Sequence, residues 1–459
     1  MVGPTHARAF AEAILHSGRD RVFGLMGDDN AALLLALGEA GVEVVRARHE
    51  GAAMAMAEGY AGATGRPAIC SVPHGLGLSD VVDSLRLAAR HRSAVVLIAA
   101  AEEHDVTTYR RMWPGENPAA ALADALSLAA DRWRPVVLGV DAELMTAPVR
   151  VGAVKLPAPR PRIGIARGDD RVAAQRLAGL LAAAKCPVLV AGRGVLAAGC
   201  ADLVRGLAER TGAALATTLP AKGLFDGHAQ DLGLAGKFAH PAAERVLAAA
   251  DLLVGLGATV TGARVVRVVD EAVAGPGETV LGNPAEVLAR LRGPAARKTP
   301  WFEPVGPAAD CWLEDLAGYA PPIPAGTVDP RVALAAIDRL IPAGAVVVVG
   351  GGRWSAFACA LITRPRAGRF VATGGPAGRA FATAAGVALA SPGRKVVVFD
   401  GEHEGAAELA ADVDLTLFLM KEGGTSAAVT AEAALRPGFA VAEVCVAPSV
   451  LPRHLRPAP

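Results

Sequence analysis

Aromatic residues are scarce in this 459-residue chain, at 4%, and long apolar runs are missing. The apolar segments 94–101 and 345–349 are far too short to cross a bilayer, so buried strands are expected there and no membrane partner. Cysteine is sparse. The six, at positions 70, 186, 200, 311, 359 and 445, lie far apart and form no CxxC pair. That spacing argues against a disulfide scaffold or zinc site and predicts reduced core thiols in a cytoplasmic protein. An excess of one charge is also lacking. With 46 basic against 45 acidic residues, nothing in the balance points to nucleic acid or an anionic membrane. The opening Met1-Val2-Gly3-Pro4-Thr5-His6 carries no charged-then-apolar signal pattern, which again leads us to expect a cytoplasmic location.

What the chain has in quantity is small and aliphatic side chains. Apolar residues make up 52%, enough to predict a large buried core with little disorder. The length suggests about two to four domains. Short apolar runs alternate with amphipathic Ala/Leu segments, the pattern of βαβ units and parallel sheets covered on both faces. The expected fold is α/β, with three doubly wound parallel-sheet domains at 1–155, 165–300 and 325–459. Strands are expected over 21–24, 42–47, 68–72, 94–100 and 135–140 in the first. In the second they fall at 188–191, 213–217 and 252–256. In the third they fall at 345–349, 370–373, 395–399 and 415–420. The linker Leu156-Pro157-Ala158-Pro159-Arg160-Pro161-Arg162 separates the first two, because proline stiffens a spacer and resists both helix and sheet. A second Pro/Gly-rich stretch around 300–330 precedes the third.

The most informative segment is Arg48-His49-Glu50, followed by Gly51-Ala52-Ala53-Met54-Ala55-Met56-Ala57-Glu58-Gly59-Tyr60-Ala61. It places a carboxylate at the head of a helix whose small side chains permit very close packing, expected here against a second subunit. On its own, Glu50 also reads as a residue that complements the helix dipole. His74 lies in the turn Pro73-His74-Gly75-Leu76-Gly77 at a strand's carboxyl end, where doubly wound sheets bind ligands. It reads equally as a turn histidine bonded to local backbone. Three further turns attract attention: Gly350-Gly351-Gly352-Arg353, Gly374-Gly375-Pro376-Ala377, and Asp400-Gly401-Glu402 after the strand ending at Phe399.

These segments, with Val22-Phe23-Gly24, Cys186–Gly194, Thr217–Phe225, Ala250–Gly257 and Ala384–Val398, resemble the acetolactate synthase and benzoylformate decarboxylase group of thiamine diphosphate-dependent enzymes. The resemblance covers nearly the whole chain, in the order pyrimidine-binding, central and diphosphate-binding domain. It implies that Glu50 activates the cofactor's aminopyrimidine ring and that His74 faces substrate. It assigns Gly351, Gly352, Arg353, Gly375, Ala377, Asp400, Gly401, Glu402 and Lys421 to the cofactor, and Asp400 with Glu422 to Mg²⁺. It also implies a homodimer or homotetramer acting on a small 2-oxo acid or aldehyde.

The chain departs from the family's pattern at several of these positions. Phe399 stands where the metal motif opens with glycine, and a ring there is expected to hinder a phosphate. Lys421-Glu422 replaces Asn-Asn, and Ala377 replaces the bulky residue that bends the cofactor. FAD is not expected, because Gly192-Arg193-Gly194 lacks a third glycine and an acidic partner. Three functions stay open: a thiamine diphosphate-dependent decarboxylase or carboligase, a non-catalytic homologue, and a repurposed enzyme without that cofactor.

Overall fold

The computed structural model describes residues 4–73, 76–99, 107–149, 169–260, 264–269, 276–291, 299–306, 311–312, 318–401, 413–423, 435–452 and 455. Three parallel sheets organise them. The first comprises β1 (Arg21–Gly24), β2 (Glu43–Arg46), β3 (Ala68–Ser71), β4 (Val95–Ala99), β5 (Thr108–Arg111) and β6 (Val136–Gly139), in the order β2-β1-β3-β4-β6-β5. The second comprises β7 (Pro187–Ala191), β8 (Ala214–Thr217), β9 (Asp231–Leu234), β10 (Leu252–Leu256), β11 (Val265–Val269) and β12 (Glu278–Leu281), in the order β12-β11-β10-β7-β8-β9. The third comprises β13 (Val346–Val349), β14 (Phe370–Ala372), β15 (Val396–Asp400), β16 (Leu415–Glu422) and β17 (Ala440–Val446), in the order β14-β13-β15-β16-β17.

The three-sheet α/β fold expected from the apolar runs is therefore present. Central strands such as β4, β7 and β13 are buried at every position. Helices cover both faces, so no polar alternation is needed. Five strands escaped the sequence reading: β5, β9, β11, β12 and β17. Edge strand β5 reads Thr-Tyr-Arg-Arg and is half-buried throughout, so it carries no apolar run. In β11 the apolar run is broken by Arg267, which is 1% exposed. Its guanidinium is satisfied by Thr279 Oγ1 and the carbonyls of Val260, Pro276 and Gly277.

The chain divides into two compact units, one of 1–162, 373–417 and 437–440, the other of 163–372, 418–436 and 441–459. In the first unit the sheet is buried on both faces. Phe10, Ile14, Leu33, Leu37, Leu122 and Leu126 cover one. Met54, Met56, Val81 and Leu85 cover the other, with Ala382 and Ala385 from the helix Arg379–Ala390. In the second unit β7, β8 and β10 likewise send side chains into two apolar clusters. Several helices start at Asn or Asp followed by proline. Asn117 and Asn283 accept hydrogen bonds from backbone N–H groups two and three residues on, and Asp329 from the one two on. The cap oxygen meets donors the helix cannot use, and proline loses none. Among the described residues, no helix is long and apolar enough to cross a membrane.

The Glu50–Thr64 helix corrects one expectation. Its small-residue face was read as a surface for a second subunit. The structure instead packs it against the helix Arg379–Ala390 of the same chain. Residues 52–59 are all buried there. A Cβ built on Gly59 would overlap the carbonyl oxygen of Thr383 and lie 2.9 Å from its carbonyl carbon. A Cβ on Gly386 would overlap the Met56 carbonyl oxygen and lie 2.8 Å from its carbon. The two helices thus touch backbone to backbone, which only glycine at both positions permits.

Candidate active site

Glu50 is the first residue of its helix and is half-buried. The cap is His49, whose Nδ1 accepts the Ala52 N–H at 3.1 Å. The cap ties down a helix N–H, and the helix dipole favours a negative charge at this end. Glu50 itself makes no hydrogen bond or ion pair with any described residue. Nearby in the fold, the loop after β1 is fixed by buried Asn30. Its Oδ1 accepts from Gly27 N–H, and its Nδ2 donates to the Leu25 carbonyl and to Ser71 Oγ.

The turn before the Arg379–Ala390 helix contains three glycines at positive φ: Gly374 (+58°), Gly375 (+79°) and Gly378 (+82°). Gly375 and Ala377 are exposed. A side chain on Gly375 would meet Leu87 Cδ1 at 2.8 Å and Arg379 Cδ at 3.0 Å, so glycine is required there on two counts.

Asp400 ends β15 and is fully buried. Its Oδ2 accepts from Phe381 N–H at 3.1 Å and its Oδ1 from Gly401 N–H at 2.8 Å. The N–H groups of Gly378 and Ala380 bond it as well. Burial pushes this carboxyl above its ordinary range, and the four backbone donors pull against that shift. Phe399 is also fully buried. Its ring lies in the core.

In the second unit, the Gly350–Gly352 turn leads to Arg353. Arg353 forks onto Glu422, with Nη2 on Oε2 and Nε 3.3 Å from Oε1. Lys421 Nζ donates to Glu443 Oε1 at 2.7 Å. Gly352 has a φ of +111° and sits against the Trp354 indole. The structure thus brings Arg353 and Glu422 together, and joins Asp400 to the Arg379 helix. No hydrogen bond links Glu50 to Asp400. Among the described residues, no group of three His, Cys, Asp or Glu side chains is arranged to hold a metal. His74 and Glu402 lie outside the described residues.

One constellation was missed. Glu58, 7% exposed, receives Arg379 Nη2 at 2.5 Å and pairs with His91 Nδ1 at 2.7 Å. Arg379 Nη1 donates to Ser84 Oγ at 3.0 Å. Burial alone would raise the Glu58 carboxyl. The His91 hydrogen bond and the Arg379 charge outweigh it and hold the carboxyl below its ordinary range. The available signal was a charged residue inside the run Met54-Ala55-Met56-Ala57-Glu58-Gly59.

Together these features define a doubly wound α/β protein with a carboxylate at a helix head that has no partner among the described residues, and glycine turns at strand ends. Comparison with known proteins makes the class specific. Residues 4–111 match the N-terminal thiamine pyrophosphate-binding domain of thiamine pyrophosphate enzymes, and residues 174–280 match their central domain. The chain is 30% identical over 277 residues to "Probable 2-ketoarginine decarboxylase AruI" of Pseudomonas aeruginosa, covering 55% of this chain and 48% of that protein. It thus spans about half the length of that relative. It is 27% identical over 448 residues to acetolactate synthase of Mycobacterium bovis, covering 87% of this chain and 72% of that one. The crystal structure of benzoylformate decarboxylase from Polynucleobacter necessarius superposes with a TM-score of 0.77 at 15% identity, over 97% of this chain and 99% of that one. The chain belongs to the thiamine diphosphate-dependent enzyme family.

Proposed function

We propose that the chain is a thiamine diphosphate-dependent lyase or transferase that cleaves or forms the bond beside the carbonyl of a small 2-oxo acid, as a decarboxylase or carboligase. The observation that carries this reading is Glu50, whose carboxylate is half-buried and without a partner among the described residues. An acidic group left unsatisfied at a capped helix head fits a ring nitrogen as its partner. The open glycine turn at Gly374–Gly378 fits a ligand that approaches main chain closely. Thiamine diphosphate, when bound, supplies a carbon nucleophile for the substrate carbonyl. Glu50 would hold a proton at its Oε atoms against the aminopyrimidine, kept in place by the His49 cap. His74 and the Gly351–Arg353 turn belong to the same proposal as substrate- and diphosphate-facing groups. So does assembly as a homodimer or homotetramer. The relatives' names support the substrate class: a 2-ketoarginine decarboxylase and an acetolactate synthase.

The test is calorimetric titration with thiamine diphosphate, followed by a screen of 2-oxo acids. Wild type is expected to bind the cofactor and consume a 2-oxo acid. Glu50→Gln is expected to turn over at least ~100-fold more slowly, the usual loss when a general acid–base group is removed. Equal turnover in Glu50→Gln would overturn the role of Glu50. Absence of binding at millimolar cofactor would instead favour a non-catalytic homologue. That second reading draws support from the internal partners of Asp400 and Glu422.

A further inference from the structure

Every ligand that the resemblance assigns to a metal already has a protein partner. An ionised carboxylate offers about four lone-pair sites. At Asp400 four backbone N–H groups compete for them, those of Phe381, Gly401, Gly378 and Ala380. Three of these donors come from the start of the Arg379–Ala390 helix, whose own cap residue is Gly378 and has no side chain to offer. Asp400 therefore satisfies the orphan donors of that helix from a neighbouring strand. Its burial is complete, so water cannot substitute. The other half of the pair, Glu422, is exposed but also already paired. Glu422 is gripped by Arg353 through two nitrogens. Lys421, the preceding residue of β16, is likewise committed, to Glu443. A divalent ion approaching Glu422 would meet the Arg353 guanidinium and would have to displace it.

We infer that Asp400 and Glu422 do not form a divalent-cation site in this chain: Asp400 supplies the capping carboxylate that the Gly378 N-cap of the Arg379–Ala390 helix lacks, and Glu422 is the counter-ion that ties Arg353 to β16. The role is structural, and it makes the shape of the Gly374–Gly378 turn independent of magnesium. It deepens the proposed function, because any cofactor bound beside that turn would then bind without metal assistance.

Three measurements on the full chain test this. The thermal unfolding midpoint of wild type should agree within about 1 °C in EDTA and in millimolar MgCl₂, because a ligand that does not bind the native state cannot shift it. Mn²⁺ titrated in the absence of nucleotide or cofactor should give no saturable electron paramagnetic resonance signal of bound ion that is sensitive to Glu422→Gln. Thiamine diphosphate affinity should differ by less than about twofold between EDTA and Mg²⁺, well under the 1.4 kcal/mol of a tenfold change. Saturable Mn²⁺ binding that Glu422→Gln abolishes would overturn the inference, as would a tenfold gain in cofactor affinity with Mg²⁺ that the same variant loses. Asp400→Asn should lower the midpoint equally with and without Mg²⁺; if it does not fold, the exposed Glu422→Gln variant still decides the question. Absence of cofactor binding under both conditions would sink the proposed function alone, and the Mn²⁺ titration would then stand as the test of the metal assignment.

Discussion

Gly386→Ala will lose at least about 3 kcal/mol of folding stability, the upper part of the range for overpacking a tight core. The added carbon overlaps the carbonyl oxygen of Met56 and lies 2.8 Å from its carbon. The obstacle is main chain, so no side-chain rotation can relieve it. The two helices must move apart, and the burial of Ala382 and Ala385 against Ala53 and Ala57 suffers with them. Gly59→Ala should behave similarly, because its Cβ meets the backbone of Thr383. Gly62 supplies the control. It lies on the same Glu50–Thr64 helix, is exposed and has nothing within 4 Å of an added Cβ. Gly62→Ala should gain up to about 1 kcal/mol, since alanine loses less backbone entropy in a helix. Urea unfolding of the three variants, followed by circular dichroism, gives the comparison. A neutral Gly386→Ala would mean that the helices do not cross as described.

The second large effect concerns the buried pair Glu58–Arg379. Arg379→Met removes a cation that is 3% exposed and leaves Glu58 charged in the core. Breaking such a pair from one side costs about 3–5 kcal/mol. Removing both partners should cost less than the sum, so Glu58→Gln/Arg379→Met should recover part of the loss. The pair also predicts a pH dependence. Glu58 has a folded-state carboxyl held below its ordinary value of 4.5. The unfolded chain therefore binds a proton first as the pH falls. The stabilisation is complete above pH 4.5 and declines below it, as the pH drops through the folded-state value. Unfolding free energies of wild type and Glu58→Gln should draw together as the pH falls from neutral to below 4.5. A constant gap over that range would show that the stabilisation owes nothing to the charge on Glu58.

Much of the architecture was legible because parallel strands covered on both faces must be apolar throughout. Val95–Ala99 and Val346–Val349 can hardly be read otherwise. Edge strand β5 was hidden for the converse reason: Thr108, Tyr109, Arg110 and Arg111 are half-solvated and need no apolar pattern. The small side chains of the Glu50 helix announced a close neighbour but could not say which chain supplies it. The answer depends on Gly386, more than three hundred residues away. The same distance concealed Glu58–Arg379, where each residue alone is an ordinary charge. Asp400 shows another limit. Its position at a strand end drew notice as a ligand, but three of the four N–H groups around it come from the start of a separate helix and meet it only after folding.

The crossing of the Glu50 and Arg379 helices at Gly59 and Gly386 has a consequence for how this chain can change over time. Where two helices meet through side chains, each substitution shifts their spacing slightly, and the parts they carry drift with it. Here the spacing is set by peptide groups in contact. Alanine, valine and methionine around the crossing can be exchanged while the head of one helix and the turn before the other keep their separation. The two glycines are the fixed points of that inheritance, and the residues at the strand ends are left free to diverge.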